Sequence, residues 1–221
     1  MYEQQKRAGI DRKCDVYTHP WRWCTHCAIE DIKKHGVTYY RRDHQVVGVY
    51  QCVKHGSNLI SHCSSCGFSA TNLSLQPIPP IDSCCSNCGE THLTPEILLT
   101  DKMKSIQKYC LLMASGDYQH GYSAIAECSS RYINSLWERH AELSYEAIVS
   151  EFYRRLNGFY SIEELDEYCI AKVKKSGNYC SLLRGTGLHI ATALVKPKHP
   201  LAYAMLLVFF DSLDPVYQCA A

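Results

Sequence analysis

Cys24-Thr25-His26-Cys27, Cys52-Val53-Lys54-His55, Cys63-Ser64-Ser65-Cys66-Gly67 and Cys85-Ser86-Asn87-Cys88-Gly89 are four pairs of metal-ligating residue types, each with two residues between its members. Two intervening residues let one tight turn aim both side chains at a single ion, and two such turns from separate segments close a tetrahedron. The spacing groups the pairs as two sites in series. Cys24, Cys27, Cys52 and His55 span a loop of 24 residues, and Cys63, Cys66, Cys85 and Cys88 span one of 18. Gly67 and Gly89 each follow a pair, where positive φ frees backbone N–H groups to point at the sulfurs. Cys84 would give a three-residue spacing to Cys88, so Cys85 is read as the ligand and Cys84 as a spare thiol.

The alternative use of these cysteines is a disulfide framework, which belongs to an oxidising compartment and a secretory leader. Met1 to Cys14 is polar and charged with no apolar core, and the leftover cysteines sit singly in helical patterns, as small buried hydrophobes do. The reading is therefore two Zn²⁺ ions. With four protein ligands each, both sites are closed, so the metals are structural and the protein is expected not to be an enzyme. His140-Ala141-Glu142 imitates half of a zinc-deaminase signature, but no Cys-x-x-Cys follows it. Neither His-Glu-x-x-His nor a phosphate-binding Gly-x-x-x-x-Gly-Lys-Ser/Thr loop occurs.

A chain of 221 residues can bury one sizeable core beside a small module stapled by metal. No window reaches the roughly 18 apolar residues of a membrane span, and Leu201 to Phe210 has the length of a buried helix. The expectation is a soluble, cytoplasmic protein with no membrane partner. The formal charge of +1 counts every thiol as neutral; seven thiolates around two divalent ions bring it to −2. Bulk attraction to nucleic acid is then absent, and binding rests on local patches. Lys172, Lys174, Lys175, Arg184, Lys196 and Lys198 lie in a stretch from Tyr168 to Phe210 that has no acidic residue, and Arg41 and Arg42 join Lys33 and Lys34 in the first metal loop.

The pattern beyond the cysteines predicts helices. Leu75 to Asp82, with Pro77, Pro79 and Pro80, reads as an extended loop. Thr94 is a candidate N-cap with Pro95 at the first helical position, followed by a stripe of Leu99, Met103, Ile106, Cys110 and Met113. Ser144 opens a helix with Val149, Phe152 and Leu156 on its apolar face and Gly158 as terminator. Ser161-Ile162-Glu163-Glu164 is a capping box opening a second helix, which carries Leu165, Cys169 and Val173 inward and ends at Gly177. Two helices joined by about three residues have the connection of a helix-turn-helix, although lysines in a last turn equally complement a helix dipole. The fold class expected is a small α+β protein: a tail (1–16), a tandem zinc-finger/zinc-ribbon module (17–92), and an α-helical domain (93–221) with a helix-turn-helix-like hairpin at 144–176.

The order Trp23-Cys24-x-x-Cys27, Tyr39-Tyr40-Arg41-Arg42-Asp43-His44-Gln45-Val46-Val47-Gly48-Val49, Cys52-x-x-His55-Gly56, Leu59, Cys63-x-x-Cys66-Gly67 resembles the core of the TniQ/TnsD family, over about a third of the chain. His199-Pro200-Leu201-Ala202-Tyr203-Ala204-Met205-Leu206-Leu207 is similar to an apolar helix in longer members. Thr25 stands where the family often has proline and Tyr40 where it often has tryptophan, neither at a ligand position. Members carry roughly a domain's worth of residues before the first ligand, whereas 23 precede Cys24 here, so the chain is expected to be a fragment or a short member. Read from the residues, His44 lies too far from Cys52 to replace a ligand and supports the loop by packing and hydrogen bonding.

The resemblance implies a target-selection adaptor of a bacterial transposon, nucleoid-associated. It would bind double-stranded DNA or dock on an RNA-guided CRISPR complex, and recruit a TnsC-type AAA+ ATPase. Arg22, Trp23, Tyr39, Arg41 and Arg42 would form its exposed basic and aromatic surface on the metal module, and Lys172, Lys174, Lys175 and Arg184 would supply DNA contacts. The alternative from another class is a general zinc-ribbon nucleic-acid-binding or transcription-associated protein, which leaves the His-Gln block unexplained.

Overall fold

The structure is a computed structural model describing residues 21–69, 71, 73–82, 84–91, 98–118, 121–161, 164, 200–213 and 215. They fall into two compact units that divide between Thr100 and Asp101.

The first unit is mostly turns around one helix, α1 (Thr25–His35). Its N-cap is the extended Cys24, whose carbonyl accepts from Ala28 N–H at 3.0 Å. Gly36 ends it in the left-handed region (φ 73°), with its N–H returned to the Ile32 carbonyl. Lys33, Lys34 and His35 occupy the last turn, where positive charge favours the helix dipole. A single 3-10 turn, Asp43–Gln45, follows inside the first metal loop. Extended pairing among the described residues amounts to isolated antiparallel bridges, Trp23 with Ile60, Gln51 with Asn58 and Cys84 with Thr91. Among the described residues the α+β expectation is thereby corrected to helix-rich structure with few extended pairs. Each metal-ligating turn uses its own backbone hydrogen bonds, and Pro77, Pro79 and Pro80 deny the next segment the donors a ladder needs.

The second unit contains α2 (Asp101–Ser115), α3 (Gly121–Arg139), α4 (Tyr145–Phe159) and α5 (Pro200–Asp211). Every residue of α5 from Pro200 to Phe210 is buried. A helix that is apolar all round has no solvent face to offer, so it takes the centre, and α2, α3 and α4 each pack against it. From α2 come Met103, Ile106, Cys110 and Met113 of the predicted stripe; its remaining member, Leu99, is buried but precedes the helix. Residues 98–100 are not helical, so α2 starts at Asp101, later than a Thr94 cap would place it; Thr94 and Pro95 lie outside the described residues. Tyr132 of α3 meets Phe152 of α4 and Phe209 and Phe210 of α5 edge to face, at centroid distances of 6.0, 5.7 and 6.3 Å. Aromatic rings favour this geometry because positive ring edges meet negative faces.

Ser144 caps α4 as the sequence suggests, its Oγ accepting from Ala147 N–H at 3.3 Å. Gly158 does not terminate the helix, which runs on to Phe159 and is capped by the extended Tyr160. Tyr160 has the better reason to stop it: its ring is buried and its hydroxyl donates to the Met205 carbonyl of α5. The capping box forms reciprocally, with Ser161 N–H on Glu164 Oε2 (3.0 Å) and Glu164 N–H on Ser161 Oγ (3.1 Å). Lys102 locks this turn from α2, donating to the Phe159 carbonyl and lying 3.5 Å from Glu164. The second helix expected from the sequence, with Leu165, Cys169, Val173 and Gly177, falls outside the described residues, as do Lys172, Lys174, Lys175, Arg184, Lys196 and Lys198. Cys110 is a buried free thiol, as expected. Cys128 differs from the isolated thiols expected of the leftover cysteines: it is disulfide-bonded.

Phe152→Ala should destabilise the helical unit by about 3–5 kcal/mol, because a fully buried ring at the aromatic junction leaves a cavity. Ser144→Ala should cost about 1 kcal/mol through the lost cap. Denaturant melts followed by helical circular dichroism read both, and equal midpoints for the two variants would contradict this packing.

Candidate metal centre

The backbone around the ligands repeats one design three times. Cys52, Cys63 and Cys85 each donate their N–H across the turn, to the carbonyls of Ser57 (2.9 Å), Phe68 (2.8 Å) and Glu90 (2.7 Å). Gly56, Gly67 and Gly89 return theirs to Cys52, Cys63 and Cys85 at 2.7, 2.9 and 2.8 Å. Such closure requires left-handed backbone at the glycines, and their φ values are 64°, 71° and 76°. The sequence reading anticipated Gly67 and Gly89; Gly56 obeys the same rule. The fourth pair differs, since Cys24 and Cys27 sit on the first turn of α1.

These elements bring Cys24, Cys27, Cys52 and His55 together, and separately Cys63, Cys66, Cys85 and Cys88, with all ligand atoms in each group within 4.8 Å of one another. A metal–sulfur bond of about 2.3 Å makes the edge of a regular tetrahedron about 3.8 Å. Cys27 and Cys52 Sγ are 3.6 Å apart, and Cys63–Cys88 and Cys66–Cys85 are both 3.7 Å. His55 presents Nδ1 at 3.4, 3.4 and 3.6 Å from Cys24, Cys27 and Cys52 Sγ. Disulfide sulfurs would stand about 2.05 Å apart. Both clusters therefore fit a tetrahedral ion held wholly by protein. Cys84 is outside them, its N–H held by Asp82 Oδ1 at 3.0 Å.

Groups around each cluster prepare it for a cation. Burial raises the Cys24 thiol, but the Ser57 hydroxyl at 3.1 Å, the Cys27 backbone N–H and His55 outweigh it and hold Cys24 at about 6. Cys66 is likewise brought to about 6, by the Asn87 side chain and the Phe68 backbone N–H. Burial and the neighbouring Cys52 and Cys24 push Cys27 upward. Cys63 is lowered as well, chiefly by the Cys66 backbone N–H, whereas in the first site Cys24 alone is lowered and burial raises Cys27 and Cys52, so further ionisation there waits for a positive charge. His55 turns its other nitrogen to Glu30 Oε1 at 3.1 Å, a carboxylate on α1 that fixes the ring with Nδ1 facing the sulfurs. Glu30 is held well below the usual carboxylate range, at about 2, by Lys54 and His55. Nothing in the ligand spacing pointed to Glu30 or Ser57; both arrive through the way α1 crosses the Cys52 turn.

In the Arg-Arg-Asp-His-Gln block, His44 and Gln45 turn inward and Arg41 is half-buried. His44 is 2% exposed and brings Nε2 to 3.9 Å from Cys27 Sγ, while burial lowers its pKa and keeps it neutral, as the loop-supporting role predicted. Gln45 clasps the backbone of Arg22, accepting its N–H at 2.9 Å and donating to its carbonyl at 2.6 Å. Arg41 makes a two-pronged ion pair with the buried Asp31 of α1, at 2.6 and 3.3 Å. Two residues expected on the surface are not there. Arg22 is 7% exposed, its guanidinium donating to the Val46 and Val49 carbonyls, and Trp23 is 3% exposed. Burial lowers the Arg22 pKa to about 10, and the hydrogen bonds to the two carbonyls offset part of the cost of taking the charge out of water. Arg42, Tyr39, Lys33 and Lys34 remain exposed. No helix among the described residues is long and apolar enough to cross a membrane.

Compared with known proteins, the chain matches no family model and no curated relative.

Cys27→Ser should remove the ion from the first cluster and Cys88→Ser that from the second, whereas Cys84→Ser should keep both; metal analysis of the purified protein counts them. Glu30→Gln should weaken metal binding at the first cluster by about 10–100-fold while leaving the fold in place. Protons compete with the ion for thiols pushed upward, such as Cys27, so affinity should rise with pH and metal should be lost as the pH falls. Release that is independent of pH between neutrality and mild acid would refute thiolate ligation.

Proposed function

We propose that the two ions are zinc and that the protein is a non-enzymatic target-selection adaptor of the TniQ/TnsD kind. In this role it binds double-stranded DNA, or an RNA-guided complex already on DNA, and recruits a TnsC-type AAA+ ATPase. Zinc suits closed sets of three thiolates with one imidazole, or of four thiolates, because it accepts these ligands tetrahedrally with no open position and no redox chemistry. The observation that carries the reading is the use made of the Arg41–Gln45 block. Arg41, His44 and Gln45 are all engaged inside the first metal loop, on Asp31, Cys27 and Arg22. A block shared with a family by residue type thus has a structural reason to accompany this ligand spacing, which a general zinc ribbon does not require.

The burial of Arg22 and Trp23, and the engagement of half-buried Arg41 by Asp31, narrow the partner surface of this unit to Tyr39, Arg42 and the Lys33-Lys34 end of α1, all exposed. In the helical unit, DNA contact is assigned to Lys172, Lys174, Lys175 and Arg184, with Lys196 and Lys198 beside them in sequence. The turn that would lead into a reading helix is fixed by Tyr160, the Ser161–Glu164 box and Lys102. A rigid turn is what such a helix needs to keep its register in a groove.

Zinc-loaded protein incubated with sheared genomic DNA at near-physiological salt should enrich one locus, and a chelated control should not. A TnsC-type ATPase offered with and without nucleotide should be retained by the protein. Failure to retain the ATPase together with uniform DNA recovery would defeat the proposal.

A further inference from the structure

Gln76 lies in the proline-rich loop between the two halves of the second cluster, is 5% exposed, and engages its amide nitrogen, its amide oxygen and its backbone carbonyl. Its Nε2 donates to Tyr40 Oη at 2.9 Å, and its backbone carbonyl accepts from the same hydroxyl at 3.2 Å. Its Oε1 accepts from Ser86 Oγ at 3.3 Å. Ser86 sits inside the Cys85–Cys88 turn. Tyr40 belongs to the first loop, next to Arg41, and its ring rests against Trp21 and Trp23 at 5.5 and 6.4 Å. Trp23 adjoins the ligand Cys24 and pairs with Ile60 in both directions, at 3.1 and 2.8 Å, just before Cys63. One glutamine therefore ties a ligand turn of the second site to the aromatic group that positions the first.

We infer that Gln76 makes the two metal sites a single cooperative unit, so that occupancy of the second, all-cysteine site raises the metal affinity of the first, histidine-containing site and the reverse. The inference rests on the two clusters binding metal, and not on the transposon reading. Ser86 lies within the Cys85–Cys88 turn, so its hold on Gln76 follows that turn, and an ion gripping Cys85 and Cys88 would reinforce the closure its backbone hydrogen bonds make. An emptied second site releases Ser86, leaves Gln76 Oε1 buried without its partner, and loosens Tyr40 against Trp23. Coupling between sites is reciprocal, because both draw on the same hydrogen bonds. The sites differ in how readily they empty: Cys66 and Cys88 are exposed, while Cys24, Cys27 and Cys52 are buried. The exposed site would thus lose its ion first and take the buried one with it.

Cobalt(II) tests this on the full chain, since a site of four thiolates and a site of three thiolates with one imidazole give distinct absorption bands. A chelator is titrated against the dicobalt protein. In the natural sequence both sets of bands should disappear in one transition. In Gln76→Leu the bands of the second site should go first, with those of the first site persisting to at least about fivefold more chelator, the lower end of usual coupling. Ser86→Ala, a change at an exposed residue, should separate the transitions in the same sense if Gln76→Leu fails to fold. Separate transitions in the natural sequence, or variant curves that superimpose on it, would overturn the inference. Failure of cobalt to bind either site would instead defeat the metal reading itself.

Discussion

Four ligand atoms must meet within a few ångströms at each of two points, and the unit spanning residues 21–91 is shaped by that requirement. Its larger buried apolar side chains are few, chiefly Trp23, Val46, Val49, Leu59 and Ile60, and they gather around the first cluster. Near the second cluster even the ligands Cys66 and Cys88 are exposed. A segment of this size buries too little apolar surface to offset its conformational entropy unaided. A structural zinc contributes on the order of 10 kcal/mol, comparable to the stability of a whole domain. The ions would stand where a core would be, and the glycine-closed turns are the local structure that lets them.

Polar residues then do in this unit what apolar ones do in a larger domain. Arg22 spans two carbonyls, Gln45 substitutes for a missing strand neighbour along Arg22, Asp31 and Arg41 tie the loop to α1, and Gln76 joins the two sites. Each is a buried polar group with partners, so each penalises any other arrangement by leaving donors or acceptors unpaired. The unit gains a single conformation from these constraints more than from packing volume.

The helical unit follows the opposite logic. Its stability is centred on α5, apolar on every face and enclosed by α2, α3 and α4. Polar groups act at its margins: Tyr160 on the Met205 carbonyl, Lys102 on the end of α4, and Tyr109 on Asp211. Burial lifts the Asp211 carboxyl above its ordinary value, and the Tyr109 hydroxyl partly offsets that. These contacts fix where helices end, while the ring cluster of Tyr132, Phe152, Phe209 and Phe210 fixes how they cross.

Ligand grouping was legible from spacing because a two-residue gap is a local property: it sets the geometry of one turn wherever that turn lies. The choice of Cys85 over Cys84, the positive φ at Gly67 and Gly89, the stripe on α2, the cap at Ser144 and the Ser161–Glu164 box are local in the same sense, and all appear in the structure. The end of α4 was missed by one residue because Tyr160 stops it through a contact with Met205, far along the chain. The inward fate of Arg22, Trp23 and Arg41 was missed for a related reason. A guanidinium reads as surface until backbone carbonyls or a buried aspartate are placed beside it, and Val46, Val49 and Asp31 are neighbours only after α1 and the loop have folded together. Sequence by itself determined which residues meet in each cluster and which helix has the length and composition to be buried. Tertiary structure alone decided which charges are spent inside and how Glu30, Ser57 and Gln76 reach the sites, because hydrogen bonds between distant segments leave no periodicity or spacing in the chain.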